Sequence, residues 1–162
     1  RRHSFPTRRS SDLTLSLPAI FLVMEEYGMN RTNETFVQDV IEFNRDLLGI
    51  EQRTPSMMPT EEHTHLTMAL QEELKEFNDA VIEGDVVGAV DAIVDLIYFA
   101  IGGLWKLGLS HNQMVRCMQA VHAANMLKRK GKVAKRYTGA ADAVKPENWV
   151  APEELIRKIL AD

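Results

Sequence analysis

At 162 residues with 45% apolar content, the chain is long enough for one domain with a substantial core and too short for two. A single cysteine, Cys117, excludes an intrachain disulfide framework and a four-cysteine zinc site, and it reads as a small packing residue of a helix. Removing the net +3 of residues 1–13 (four arginines, one aspartate) from the formal charge of −4 leaves −7; so acidic a body argues against a general nucleic-acid binder, which needs a basic footprint.

Residues 1–13 (RRHSFPTRRSSDL) have no apolar period and are similar to a peptide read by mistake from sequencing-adapter DNA. The run 14–24 (TLSLPAIFLVM) mimics the apolar part of a signal peptide. Pro18 interrupts it, no small-x-small cleavage site precedes Glu25 and Glu26, and it is too short to span a bilayer. We therefore expect residues 1–29 to be a non-native or disordered extension with Met24 or Met29 as the native start, residues 30–162 to form the domain, and the protein to be cytoplasmic.

The spacing of Phe36, Val37, Val40, Ile41, Leu47 and Leu48 predicts a first helix over 33–48, capped by Thr32 or Asn33 and ended by Gly49. Two prolines and no period make 50–59 a loop. Thr60, followed by Glu61 and Glu62, offers a cap for a second helix reaching about Glu83, with Leu66, Leu70, Leu74, Phe77 and Val81 as its buried stripe. After a turn at Gly84 and Asp85, residues 86–107 form a third helix, apolar nearly all round and therefore central in the fold or buried between copies. Gly108 closes it, and Ser110 caps a fourth helix to about Arg129 with Met114, Met118 and Val121 inward. Residues 130–149 read as loop, and 152–160 as a short last helix with proline in its first turn. The fold class expected is all-α, a four-helix core with a short C-terminal helix.

Two groups of carboxylates stand out. Glu72, Glu73 and Glu76 (QEELKEF) fall within one arc bordering the Leu70 and Phe77 stripe. Asp91 and Asp95 stand at i and i+4 inside the third helix, where like charges repel and burying an unpaired carboxylate costs several kcal/mol. Five carboxylates on two neighbouring helices exceed what a structural ion pair needs. Oxygen-only ligands in that number suit hard divalent cations, magnesium or manganese. The same aspartates argue against a membrane span, each costing roughly 2.5–3.5 kcal/mol at a bilayer centre.

Glu72, Glu73 and Glu76 match the E-E-x-x-E half of the signature of the MazG-like all-α NTP pyrophosphatases. Asp95 (DLIYF) matches the aspartate of the second half, E-x-x-D, and Gly108-Leu109 follows at the family's distance. The chain thus resembles that superfamily over about residues 33–152, most nearly its short, often phage-encoded members akin to phosphoribosyl-ATP pyrophosphohydrolase. One position departs: Ala92 stands where the second glutamate is expected, and Asp91, one place earlier, is the candidate substitute.

The fourth helix ends in VHAANMLKRKGK. Asn125 and Lys128 share the face of Met114, Met118 and Val121, which puts an amide and an ammonium beside the core. His122, Asn125 and Lys128 also resemble a phosphate-site string of relatives, and Lys145 to Trp149 (KPENW) a tail that relatives share. Lys130, Lys132, Lys135 and Arg136 extend the basic run, with Lys132 the one assigned to phosphate. Trp149 reads as a packing anchor, and Phe43, Asn44 and Tyr98 as candidates for a base pocket.

The resemblance implies metal-assisted hydrolysis of a (deoxy)nucleoside triphosphate to monophosphate and pyrophosphate. The expected ligands of Mg2+ (or Mn2+) are Glu72, Glu73, Glu76, Asp91 and Asp95. Glu73 or Glu76 would orient the attacking water, and Asn125, Lys128 and Lys132 would hold phosphate. The alternatives are phosphoribosyl-ATP as substrate, a non-catalytic nucleotide- or metal-binding protein, and a ferritin-type bundle. That bundle needs two Glu-x-x-His pairs, where only Glu62 and His65 form one. A homodimer or homotetramer is expected, because four helices cannot cover both sides of the third; no nucleic acid or membrane partner is.

Overall fold

A computed structural model of the chain describes residues 36–132, 140 and 142–162. The proposed extension 1–29, the caps Thr32 and Asn33, and Lys135 and Arg136 lie outside the described residues. The rest is mostly helical: α1 (Phe36–Glu42), α2 (Thr60–Glu83), α3 (Val86–Lys106), α4 (His111–Met126) and α5 (Glu153–Ala161). The all-α expectation holds.

Helix α1 buries Val37, Val40 and Ile41 as its spacing predicts, while Phe36, Leu47 and Leu48 remain exposed. It then widens into a π-helical turn, Phe43–Leu47. The cause is Asn44, whose buried amide turns back to donate to the Val40 carbonyl at 2.8 Å. A side chain inserted in the backbone ladder shifts the ladder by one residue, so Leu48 N–H donates to Phe43. Gly102 of α3 makes room, since a Cβ there would sit 3.1 Å from the Asn44 amide nitrogen. Gly49, at φ 68°, ends the segment.

The loop 50–59 is strapped to the end of α3. Trp105 Nε1 donates to the Ile50 carbonyl at 2.7 Å, Gln52 to the Gly108 carbonyl at 2.9 Å, and Ser56 N–H to the Leu107 carbonyl at 3.0 Å. Arg53 grips both oxygens of Glu62 at the start of α2. That occupies the one Glu-x-x-His glutamate a ferritin-type site would need. Lys106 is buried beside this joint, and burial holds its ammonium below the usual range against the opposing pull of Glu62. Pro59, not Thr60, occupies the cap position of α2, and it contributes no side-chain hydrogen bond.

Helices α2 and α3 pack antiparallel through small residues. Gly103 lies against Leu66, whose Cδ2 would be 2.7 Å from any Cβ added there. Near the other end Gly88 lies against Ala80, and Ala80 and Ala92 are buried. The core proper gathers at the other half of α3: Ile101, Trp105 and Leu109 meet Val37, Val40 and Ile41 of α1, Met114, Cys117 and Ala120 of α4, and Ile159 of α5. The expected stripe of α2 is therefore corrected, because Leu74 and Val81 are exposed. Among the described residues, that half of the hairpin stays largely uncovered.

Helix α4 begins with a capping box between Ser110 and Gln113. Its buried face is Met114, Cys117, Ala120 and Ala124. The expected face of Met114, Met118 and Val121 is thus rotated by about one position of 100°, since small side chains permit closer approach to α1 and α5. The helix also stops at Met126, three residues short of the predicted end. Beyond it a two-stranded ribbon, absent from the sequence reading, pairs β1 (Arg129–Gly131) antiparallel with β2 (Asp142–Val144). Pro152 caps α5, which docks through Ile159, and Gln113 Nε2 donates to the Ile159 carbonyl at 3.2 Å.

Gly108 adopts φ 86°, and an added Cβ would lie 2.3 Å from the Thr54 carbonyl oxygen. Gly49 has a similar φ, but a Cβ there would meet nothing within 4 Å. Gly108→Ala should therefore cost at least about 2 kcal/mol in denaturant unfolding, against about 1 kcal/mol for Gly49→Ala. Equal losses would show that the strap does not depend on close approach.

Candidate active site

The contacts of Leu66 with Gly103 and of Ala80 with Gly88 fix the register of the α2–α3 pair. Carried to the middle, that register sets Glu73 opposite Asp95 and Glu76 opposite Ala92. The electrostatics agree. Glu73 is pushed up to about 7, first by burial and then by Glu76, Asp95, Glu72 and Asp91 in that order. Asp95 is raised by burial and by Asp91, one helical turn before it. The other four carboxylates thus all act on Glu73, and among the described residues none of the five forms an ion pair.

The cluster sits at an open surface. Only Glu73 and Asp95 are half-buried; Glu72, Glu76 and Asp91 are exposed. The inward position expected for all five is corrected on this point, for the same reason that Leu74 and Val81 are bare. Among the described residues, no three acidic, histidine or cysteine side chains converge closely enough to coordinate one ion as they stand. The donor set nevertheless fits a hard divalent cation, being all carboxylate, carried on two packed helices, and forming no ion pair among the described residues.

Ala92, at 2% exposure, sits on the packed seam between the helices, so Asp91, in the solvated arc one residue earlier, reaches the cluster from its edge. Tyr98 lies one turn beyond Asp95 on α3. Two phenylalanines meet its ring edge-on: Phe36 at 5.6 Å and Phe43 at 5.4 Å between centroids. Burial raises the Tyr98 hydroxyl, followed by Asp39 and Asp95. Two of the three base-pocket candidates therefore come together, while Asn44 is committed to the α1 backbone. Phe36 was legible only as a core residue; the signal that could have found it is its spacing of one heptad from Phe43.

The phosphate candidates are placed differently. Asn125 is exposed in the last turn of α4. Lys128 lies beyond the helix, its N–H donating to the Asn125 carbonyl at 3.0 Å, so the helical face that was to carry it ends before it. Lys132 follows β1 and is exposed. His122 is exposed too.

The sequence profile of the family described as phosphoribosyl-ATP pyrophosphohydrolase matches residues 40–125. The chain belongs to this family. It is thereby a member of the MazG-like pyrophosphohydrolase superfamily, a pyrophosphohydrolase acting on nucleotide phosphoanhydride bonds. The matched span holds all five carboxylates and Asn125, and stops before Lys128 and Lys132. No curated protein matches the chain.

Because Glu73 is raised, its contribution to stability in the metal-free protein is complete below about 4.5 and lost as pH rises through about 7. With a chelator present, the melting temperature should fall between pH 5 and pH 8, and Glu73→Gln should flatten that fall and melt higher at pH 8. A variant melting below the parent at pH 8 would mean that Glu73 is held by an attractive partner.

Proposed function

We propose that the protein is a magnesium-dependent pyrophosphohydrolase that converts a (deoxy)nucleoside triphosphate to monophosphate and pyrophosphate. The observation that carries this reading is Glu73 facing Asp95 across the α2–α3 seam, inside a set of five carboxylates that form no ion pair among the described residues. Glu72, Glu73, Glu76, Asp91 and Asp95 would hold Mg2+ or Mn2+. When bound, the ion would supply the positive charge that lets phosphate oxygens approach and that offsets the negative charge growing on them in the transition state. Glu73 and Glu76 supply the basic oxygens. Whichever of Glu73 and Glu76 is left over from coordination would orient the attacking water or take its proton. Tyr98 with Phe36 and Phe43 offers a partly exposed aromatic surface for a base one turn from Asp95. Asn125, Lys128 and Lys132 serve the phosphates. The reading places the protein in the cytoplasm with no nucleic-acid or membrane partner, although α3 is long and apolar enough to cross a membrane.

Glu73→Gln and Asp95→Asn should each lower pyrophosphate release by about a hundredfold or more, with the helical circular dichroism unchanged. Full activity in either variant would remove both residues from the chemistry. The description of the matching family keeps phosphoribosyl-ATP as the alternative substrate. Incubating the enzyme and magnesium with each candidate, with chromatography of the products, separates the two.

Val87, Val90, Val94 and Ile97 of α3, with Ile82 of α2, are large apolar side chains left exposed among the described residues, the kind of surface that marks an interaction site. We infer a homodimer or homotetramer joined there. Light scattering should give at least twice the 18.3 kDa of one chain, and Val90→Arg should return the protein towards that mass; a monomeric parent protein would refute the assembly.

A further inference from the structure

The KPENW tail has no role in the chemistry above, yet it meets the phosphate candidates at one place. The ribbon pairs Arg129 with Val144, so the next residues outward, Lys128 and Lys145, stand opposite each other, where like charges repel. Both carry their ammonium groups to the same indole: Nζ of Lys128 is 5.6 Å and Nζ of Lys145 is 4.1 Å from the ring centre of Trp149. The ring is pinned in place. Its Nε1 donates to the Ala124 carbonyl of α4 at 2.6 Å, and its backbone N–H closes a turn onto the Pro146 carbonyl at 3.0 Å. Among the described residues neither ammonium has a carboxylate partner. The indole face attracts each cation but brings no net negative charge to offset their repulsion.

We propose that Lys128, Lys145 and Trp149 form a binding site for a polyphosphate oxyanion. Two ammoniums on flexible stems, gathered over one fixed ring, suit a compact ligand carrying several negative charges better than a single carboxylate. Pyrophosphate, free or as part of a nucleotide, has that chemistry. The site stands on its own geometry; its assignment to the substrate rests on the pyrophosphohydrolase reading.

Trp149 is also the reporter, because the second tryptophan, Trp105, is buried and bonded to the Ile50 carbonyl. The full chain is titrated with inorganic pyrophosphate in the presence of a chelator, which keeps the acidic cluster silent, and at ionic strength matched with sodium chloride. A saturable change in tryptophan fluorescence is expected, absent in Trp149→Phe, retained in Lys145→Arg and weakened about tenfold in affinity in Lys145→Ala. A flat titration, or one that Lys145→Ala leaves unchanged, overturns the proposal. With magnesium and nucleotide, a tenfold rise in KM with little change in kcat for Lys145→Ala assigns the site to substrate phosphates. Unchanged KM with weaker inhibition by pyrophosphate assigns it to the free product. Should no nucleotide be turned over while the metal-free titration holds, the substrate reading fails and the anion site stands. Turnover accompanied by a flat titration removes the anion site alone.

Discussion

Close approach of α2 and α3 is the constraint on which the site depends. Ala80, Gly88, Ala92 and Gly103 keep the seam narrow, and a narrow seam brings Glu73 and Asp95 face to face instead of letting each turn outward into its own water. Burial and repulsion then act in the same direction on Glu73. A salt bridge would have lowered that carboxyl. Burial and the four neighbouring acids raise it, and protons or cations that share the charge make such a cluster less costly at neutral pH.

The same hairpin explains the uneven burial of α3. From Ile101 to Lys106 the helix is enclosed by α1, α4 and the strap 50–59; from Val86 to Ile97 its valines and isoleucines are largely bare. One helix thus performs two tasks. Its enclosed half anchors the pair, through Trp105 and the Gly108 joint, and its bare half holds the aspartates between apolar flanks that the described residues leave exposed. A second copy would seclude the carboxylates from bulk water and strengthen every charge interaction among them.

Much of this was legible in the sequence because helix periodicity and punctuation are local. Gly49, Gly84 and Gly108 end their segments as expected, all at positive φ, and Ser110 caps α4 as its spacing with Gln113 requires. The meeting of the Glu72 to Glu76 arc with Asp91 and Asp95 followed from the family signature and from charge that had no partner. What could not be read was set by contacts distant in sequence. The π-helical turn depends on Asn44 meeting Gly102, and the rotated face of α4 on where α1 and α5 press against it. The early end of α4 depends on a strand partner, Asp142–Val144, thirteen residues beyond Arg129 at its nearer end. Three-residue strands carry too little alternation to register as strands at all.

That early end changes what Lys128 is. On a continued helix it would be a cation complementing the dipole of the last turn. Released into the ribbon, it stands across from Lys145 and shares Trp149 with it. The charge of the molecule is then divided between two kinds of structure. On the proposed reading, the helices hold carboxylates that take up an exchangeable cation, and a short ribbon holds ammoniums that take up an anion. A polyphosphate complexed with a divalent ion answers both requirements, since its metal offsets the acids and its free oxygens offset the lysines. Neither group is well satisfied by the protein alone, and that shared deficit is the physical reason for seeking one ligand class in both places.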